Sequence, residues 1–298
     1  MDFRALAMGV TFAFIWASAF TSARIIVAAA PPLTALSLRF LISGLLGVGI
    51  ALALGQSWRL TRAQWRATAL FGIAQNGLYL GLNFVAMQTL EASMADIVAS
   101  TMPLLVGLFG WIILGERVRP LGALGLAVGF LGVAIIMGSR ITQGVDLYGL
   151  ALCVAGVFAL TAATLAVRSA SSGGNVLMIV GLQMLLGAAA LGLAAVLAGE
   201  GWEIAWNWKL IAAFAYTTLF PGLVATLIWF LLVRRIGAVR AATFHFLSPF
   251  FGVSVAAILL GERLGPLDLV GVGVIMAGIL AVQISKQRPA AMPLHERR

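Results

Sequence analysis

Charged residues are scarce in this sequence. Lys, Arg, Asp and Glu make up 10% of the 298 residues, whereas hydrophobic residues make up 62%. Mean hydropathy is +1.06. A soluble globular chain carries about 25% charged residues. The composition therefore excludes an ordinary soluble domain and predicts an integral membrane protein.

Residues that build reactive centres are also few. The one cysteine, Cys153, excludes an internal disulfide framework and a cysteine-based metal site. Of the two histidines, His245 lies in an apolar segment and His295 in the polar tail. There is no His-Glu-x-x-His motif, and acidic residues inside apolar segments are not paired. Because a nucleophile and its base are both missing, we expect no enzyme activity, no cofactor and no metal.

Apolar segments of about 20 residues, the length that crosses a bilayer core, recur along the whole chain. Ten of them are predicted to be membrane-spanning helices, at residues 5–26, 33–54, 67–88, 94–113, 120–138, 147–167, 176–198, 210–232, 241–260 and 266–284. The connections are short, and a polar tail follows from residue 286 to residue 298. The fold class predicted is an all-α membrane protein.

The distribution of basic residues predicts the orientation. Of the 19 Lys and Arg residues, 14 fall on the side of the N-terminus, 4 on the other side, and Arg39 lies within the second span. Cytoplasmic loops carry the excess of Lys and Arg, so both termini are predicted to be cytoplasmic. The net charge of +9 then reflects topology and attraction to the lipid bilayer, and nucleic acid is not expected as a partner.

The second half of the chain repeats the first. Four-residue and single-residue matches recur 146 positions apart: Leu114-Gly115-Glu116-Arg117 with Leu260-Gly261-Glu262-Arg263, Ala95 with Ala241, Pro103 with Pro249, and Gly132 with Gly278. The sequence predicts a five-helix repeat at 1–140, a second at 141–285, and a cytoplasmic tail at 286–298. Because five is odd, the second repeat enters the membrane from the opposite side, which makes an inverted repeat.

A charged corner ends the fourth and ninth spans. In each copy a glycine suited to a left-handed helix cap precedes a Glu-Arg pair, and a proline begins the next helix. The corner residues are Glu116, Arg117, Glu262 and Arg263. We expect a hinge or structural role for them at the bilayer faces, because the binding sites of inverted-repeat carriers lie near the midplane.

The ten spans, the five-plus-five repeat and the doubled Leu-Gly-Glu-Arg corner before a proline resemble the drug/metabolite transporter superfamily, its EamA-type carriers in particular. Within that group the chain is similar to the YddG-type exporters of aromatic and other neutral amino acids. The resemblance implies a carrier in the cytoplasmic (inner) membrane that moves a neutral amino acid or similar small metabolite outwards. An inverted repeat implies alternating access around a site between the two halves.

The third span carries the most informative polar pattern. Asn76, Tyr79 and Asn83 are three and four residues apart and share one helical face, next to a face formed by Gly77 and Gly81. Polar side chains at membrane depth usually face the protein interior or a wet cavity. We predict that the polar face lines the substrate site. Alternatively, the two asparagines form hydrogen bonds between helices.

Prolines interrupt three spans. Pro103 and Pro249 occupy matching positions, and Pro221 lies within the eighth span. A proline lacks an N–H and leaves the carbonyl four residues earlier without its helical partner. These breaks could offer carbonyl groups to a substrate ammonium, or could simply kink the helices. Ser100 and Phe246, which match one another in the repeat, lie beside the breaks and are predicted substrate contacts.

Asp96, His245 and Arg39 are ionisable side chains within predicted spans. Asp96 and His245 are candidates for a coupling proton, although Asp96 is close enough to the end of its span to be an interfacial cap. Arg39 could bind a substrate carboxylate or form a structural pair. Gln183 occupies a similar position in the second repeat.

Two further residues complete the predicted site. Trp16, with Phe12 and Phe20, forms an aromatic stripe that could stack on a substrate or could pack against other helices. Thr161 lies on a face of the sixth span. A multidrug exporter of lipophilic cations is the alternative transporter, and it would require a carboxylate deep in the cavity. A non-transporting receptor or structural membrane protein is the alternative of another class, and the oligomeric state is not predicted.

Overall fold

The computed structural model describes residues 3–142, 144–167 and 175–286. Ten of its helices are long and apolar enough to cross a membrane, which confirms the predicted all-α membrane class. They are α1 Phe3–Val27, α2 Pro32–Ala53, α3 Arg62–Ala86, α4 Ala92–Ile112, α5 Pro120–Thr142, α6 Leu147–Leu165, α7 Val176–Leu197, α8 Trp208–Val233, α9 Arg240–Leu260 and α10 Pro266–Lys286. The predicted tail, apart from Lys286, lies outside the described residues.

Helix α3 begins five residues before the predicted span because a capping box sets its first turn. The Thr61 side chain accepts a hydrogen bond from the Gln64 N–H at 3.2 Å, and the Gln64 side chain accepts one from the Thr61 N–H at 2.9 Å. Such a reciprocal pair satisfies N–H groups that have no helical partner. The added turn is amphipathic, which is why hydropathy alone placed the start too late.

Two pairs of helices pack along their whole length: α5 against α10, and α2 against α7. Glycines permit this close approach. A Cβ atom built on Gly278 would lie 2.4 Å from Gly129 Cα, and one built on Gly47 would lie 3.3 Å from Gly181 Cα. These pairs join matching members of the two predicted repeats and form the frame around the remaining six helices.

Those six helices surround the centre of the molecule. Helix α1 contacts α8 and α9, and its counterpart α6 contacts α3 and α4; α4 also packs against α9. If each helix is replaced by its counterpart in the other half (α1 by α6, α3 by α8, α4 by α9), the same contacts result. A twofold relation between the halves requires this. The inversion of the second half and the boundary near residue 140 stay predictions.

Four of the six central helices are not continuous α-helices. Helices α3 and α8 contain π-helical segments at Gly72–Tyr79 and Phe220–Val224. Helix α4 is interrupted between Ala99 and Met102, and α9 contains a 3₁₀ segment at Phe244–Leu247. Non-helical backbone is tolerated at membrane depth where it is covered by protein or lines a cavity. The four irregular segments therefore indicate where a site can be built.

Candidate functional site

A cavity of about 540 Å³ is lined by all four irregular helices together with α1, α6 and α7. It runs from the first turns of α3 and α7, at the end of the bundle that carries the N-terminus, to the middle of the molecule. Its walls are mostly apolar with a few amide and hydroxyl groups, contributed by Phe12, Trp16, Gln64, Ala67, Thr68, Phe71, Gln75, Asn76, Met102, Leu160, Thr164, Val176, Ile179, Val180, Gln183, Met184, Thr226, Trp229 and His245. Its size is within the ~300–1,000 Å³ of small-molecule sites.

A smaller inner cavity of about 80 Å³ continues from the main cavity. The two cavities share lining residues, among them Trp16, Asn76 and Thr226. The inner cavity also contacts Arg39 and Tyr79, and it ends at Phe84 and Met87, which are almost fully buried. It forms the closed end of the path that the main cavity opens.

Four aromatic rings form one wall of the main cavity. The centroid of Phe12 lies 5.9 Å from that of Trp16, 4.9 Å from Trp229 and 5.2 Å from His245. Trp16 and Trp229 lie 6.0 Å and 5.5 Å from His245. Aromatic pairs at these separations attract one another and present rigid faces to a ligand. We call Phe12, Trp16, Trp229 and His245 the aromatic wall.

The predicted polar face of α3 divides between two environments. Asn76 and Tyr79 line the cavities. Asn83 does not: its side-chain amide donates to the Tyr79 carbonyl at 2.7 Å and accepts a weak hydrogen bond from Cys153 Sγ at 3.4 Å. Asn83 thus links α3 to α6 by a hydrogen bond, as in the alternative in which the asparagines connect helices. Asn76 lines the cavities and also links two helices, since its side-chain amide donates to the Gln183 carbonyl of α7 at 3.0 Å.

Arg39 is buried, with 5% of its surface exposed. Its Nε donates to the Thr217 carbonyl at 3.2 Å, and the guanidinium lies 4.7 Å from the centroid of Phe40. Within the described ranges it is the one fully charged side chain that lines either cavity. No acidic residue pairs with it in those ranges, so the guanidinium keeps donors that can meet an anion.

Asp96 is fully buried rather than an interfacial cap, with 1% of its surface exposed. It lines a third, very small cavity with Ser100, Pro103 and His245, next to the main one. Pro221 lines the inner cavity, and Pro249 is buried at the break in α9.

Two predicted contacts lie elsewhere. Thr161 is fully buried, and its hydroxyl donates to the Val157 carbonyl at 2.7 Å within α6. Phe246 packs against the main hydrophobic core and lines none of the cavities described above. On α6 it is Leu160 and Thr164 that reach the main cavity.

The end of the bundle opposite the cavity mouth is closed by hydrogen bonds between segments distant in sequence. Glu262 accepts from the N–H groups of Ala92 at 2.7 Å and Ser93 at 3.0 Å, the first turn of α4. Glu200 accepts from the N–H groups of Leu33 and Thr34, the first turn of α2. A carboxylate at a helix N-terminus satisfies orphan N–H groups and meets the positive end of the helix dipole.

A buried ion pair lies at the same end. Arg140 contacts Asp268 at 2.9 Å and 3.1 Å and Glu91 at 2.8 Å. Nearby, Asp146 accepts hydrogen bonds from the Thr89 hydroxyl and from two backbone N–H groups, which lower the pKa of its carboxyl. These contacts tie α4, α5, α6 and α10 together.

The matching corner of the first repeat contains a cavity. Glu116 and Arg117 line a separate cavity of about 350 Å³ with Gly122 and Lys286. At the repeat offset of 146 residues, Glu116 matches Glu262 and Arg117 matches Arg263. At the same offset Gly122 matches Asp268, and Lys286 matches Arg140. Arg263 itself is exposed. The two equivalent corners therefore differ in that a cavity of this size lies at the first one.

The EamA-like transporter family model matches residues 3–138 and again residues 147–284. The chain belongs to the EamA-like transporter family. It is accordingly a membrane transporter of the drug/metabolite transporter superfamily, as its resemblance implied. The double match also covers both copies of the repeated corner.

Relatives of this EamA-like transporter align along nearly its whole length. The uncharacterized transporter YvbV of Bacillus subtilis (strain 168) is 26% identical over 95% of this chain and 93% of its own. The uncharacterized inner membrane transporter YedA of Escherichia coli (strain K12) is 26% identical over 99% of this chain and 96% of its own. They support a multi-pass membrane transporter without naming a substrate.

Two further similarities concern, respectively, less than half of the sequence and the fold alone. The aromatic amino acid exporter YddG of Ancylobacter novellus is 31% identical over 133 residues, which are 45% of this chain and 46% of that protein. One solved crystal structure covers 97% of this chain and all of its own with a TM-score of 0.69 at 20% identity, so the two share a fold.

Several lining residues of this EamA-like transporter were not predicted from the sequence. They are Gln75, Met102, Met184, Thr226, Trp229 and Ser248. A polar residue within a turn or so of a mid-span proline, as for Thr226 after Pro221 and Ser248 before Pro249, was the available signal. Gln75 could not be found in this way, because the π-helical segment changes which residues share a face.

Proposed function

We propose that this transporter exports neutral amino acids, aromatic ones among them, across the cytoplasmic membrane by alternating access. The observation that carries the proposal is the composition of the continuous cavities. An aromatic wall faces amide groups of α3 and α7, and a single guanidinium, Arg39, lies at the inner end. Partial similarity to an aromatic amino acid exporter supports the same substrate class.

The chemistry of a zwitterion fits these walls. A carboxylate meets the donors of Arg39, because charge-assisted hydrogen bonds are the strong ones in a dry site. The ammonium finds acceptors in the side chains of Gln75, Asn76 and Tyr79. An aromatic or aliphatic side chain then lies against Trp16 and Trp229, where apolar contact and stacking add affinity.

An organic cation fits less well. It would meet the Arg39 guanidinium at the inner end and would find no carboxylate lining the main or inner cavity within the described ranges. Asp96 lies in the separate small cavity. The lipophilic-cation alternative therefore lacks the counter-charge it requires.

The direction of opening follows from the predicted topology. The cavity mouth is at the N-terminal end of α3 and α7, which the Lys and Arg distribution places in the cytoplasm. The closed end is then external, and the described conformation is open inwards. Export requires the reverse change, in which the corner at Glu116 closes and the one at Glu262 opens.

Counterflow into proteoliposomes tests the function. Vesicles loaded with unlabelled phenylalanine should accumulate labelled phenylalanine, threonine and methionine saturably, and a lipophilic cation should not compete. Arg39→Gln should lower the apparent affinity for phenylalanine about tenfold, which is about 1.4 kcal/mol of binding free energy. Phenethylamine, a cation that lacks the carboxylate, should inhibit wild-type transport far less than unlabelled phenylalanine does, and Arg39→Gln should not weaken that inhibition further.

Arg263→Gln removes an exposed guanidinium and is the matched control, expected to transport like wild type. Entry of the lipophilic cation without any amino acid flux would overturn the proposal. Binding of phenylalanine with no flux at all would favour the receptor alternative.

The contact of Glu262 with α4 predicts a shift toward the outward-open state when it is lost. In Glu262→Ala, a cysteine placed at Leu90, which is 2% exposed, should react about tenfold faster with a membrane-impermeant maleimide added from the external side. Glu203→Ala removes an exposed carboxylate at the same end and should not change the rate. Equal labelling in both variants would show that Glu262 does not hold this end closed.

A further inference from the structure

Three of the polar side chains that line the small cavity next to the site have buried oxygen atoms without hydrogen-bond partners; Trp16, Tyr79, Met102, Leu160 and His245 line it as well. Its volume is about 20 Å³, enough for one water-sized guest. Asp96 Oδ2, Ser100 Oγ and Ser248 Oγ are buried there without a hydrogen-bond partner. Asp96, Ser100 and Ser248 are 1%, 7% and 3% exposed. Buried polar atoms are nearly always satisfied, so three around one cavity require an explanation.

The backbone supplies a further oxygen. Ala99 and Pro103 line the same cavity. Pro103 has no N–H to donate to the Ala99 carbonyl, so this carbonyl lacks its ordinary helical partner. Across the cavity, Ser248 belongs to α9 at its own break beside Pro249. The cavity thus joins the two interrupted helices α4 and α9.

The carboxylate of Asp96 is directed at α9. Gly252 leaves the space it occupies: a methyl group built there would lie 2.1 Å from Asp96 Oδ2. The described part of the chain places no Lys or Arg against Asp96. A single negative charge buried without a partner is costly, and a bound cation offsets that cost.

We propose that Asp96, Ser100, Ser248 and the Ala99 carbonyl form a site for one sodium ion, between α4 and α9. Oxygen atoms are the ligands that hard cations take. One carboxylate balances one monovalent ion, whereas a divalent ion would leave a buried net positive charge. Broken helices that offer carbonyl oxygens to a coupling ion are a general feature of secondary carriers.

The consequence of sodium binding is that it favours one arrangement of α4 against α9 and so couples to transport. That consequence rests on the proposed function. The binding itself can be measured without any substrate. The two proposals can therefore fail separately: sodium can bind a protein that moves no amino acid, and amino acid counterflow can proceed with no sodium site.

Thermal unfolding of the purified protein in detergent is the test, with sodium chloride replaced by potassium or choline chloride at constant ionic strength. The midpoint should rise saturably with sodium and not with the other two. Ser248→Ala should raise the half-saturating sodium concentration about tenfold, and Asp96→Asn should abolish the sodium response. Trp16 lines the same cavity, so a sodium-dependent change in tryptophan fluorescence that is absent from Trp16→Phe gives a second readout of binding among the eight tryptophans.

Ser93→Ala is the matched control. Ser93 is on α4, fully buried, and its hydroxyl also lacks a partner, but it does not line the cavity. Its sodium response should equal that of wild type. A midpoint that responds alike to sodium, potassium and choline would overturn the proposal and assign the cavity to a water or a protonated Asp96. A sodium response unchanged in both Ser248→Ala and Asp96→Asn would overturn it as well.

Discussion

Replacing Arg140 by methionine is expected to lower the free energy of unfolding by about 3 kcal/mol, because it leaves Asp268 as a buried, unpaired carboxylate. Asp268 is 1% exposed and its carboxylate contacts two guanidinium nitrogens. Glu91, whose side chain is 42% exposed, adds little because water screens it. The measurement is the temperature at which half of the protein stays monodisperse in detergent, which should fall by ~2–4 °C for each kcal/mol.

The double variant Arg140→Met with Asp268→Asn should recover much of the loss, because no buried charge then remains. Arg263→Met removes an exposed arginine from the same end of the molecule and should change the midpoint by less than a degree or two. If Arg140→Met and Arg263→Met have the same midpoint temperature, the ion pair is not what holds α4, α5 and α10 together at this end.

The sequence predicted the helices of this protein better than it predicted the site. Ten apolar segments had to be helices spanning a bilayer, because lipid satisfies no backbone hydrogen bond. Their ends were less certain where amphipathic or ion-paired turns extend the helix, as at Arg62 before the third span. At the end of α5, Arg140 is buried by its partners, so the helix continues to Thr142.

The site was harder to predict because its helices are irregular. Ideal helical spacing puts Asn76, Tyr79 and Asn83 on one face, but the π-helical segment Gly72–Tyr79 changes the rotation of the chain. Asn83 consequently faces α6, and Gln75 faces the cavity. Periodicity assumes constant geometry, so it cannot anticipate which residue a local π turn rotates into the site.

The prolines did carry information. Pro103 and Pro249 marked the breaks in α4 and α9, although the polar groups collected there are Asp96, Ser100 and Ser248 rather than Phe246. In this chain the serine and aspartate residues near the prolines line the polar cavity, whereas Phe246, the position aligned with Ser100, does not.

The repeated corner shows why matching positions need not have matching roles in one conformation. Glu262 accepts hydrogen bonds from the first turn of α4, and Glu116 lines a cavity with Lys286. Under the alternating access proposed above, the two halves exchange conformations, so the two corners are expected to differ in any one state. The two corners also differ in sequence, since Gly122 occupies the position that matches Asp268, so the first corner lacks the buried carboxylate that pairs with Arg140 in the second.

The glycines of α10 give the final prediction. Gly278→Ala should destabilise the protein by about 3 kcal/mol, the upper end of the cost of overpacking. The new methyl group would lie 2.4 Å from Gly129 Cα and from Gly129 N. Backbone atoms cannot rotate away as a side chain can, so α5 and α10 must separate and lose contact along their length.

Gly273→Ala on the same helix is the matched control, because a Cβ atom there has no neighbour within 4 Å. Alanine has the higher helix propensity, by about 1 kcal/mol, so this variant should be neutral or slightly more stable. Thermal stability in detergent and the yield of monodisperse protein measure both variants. Equal midpoints would mean that the backbones of α5 and α10 do not approach each other as closely at Gly278 and Gly129 as the structure shows.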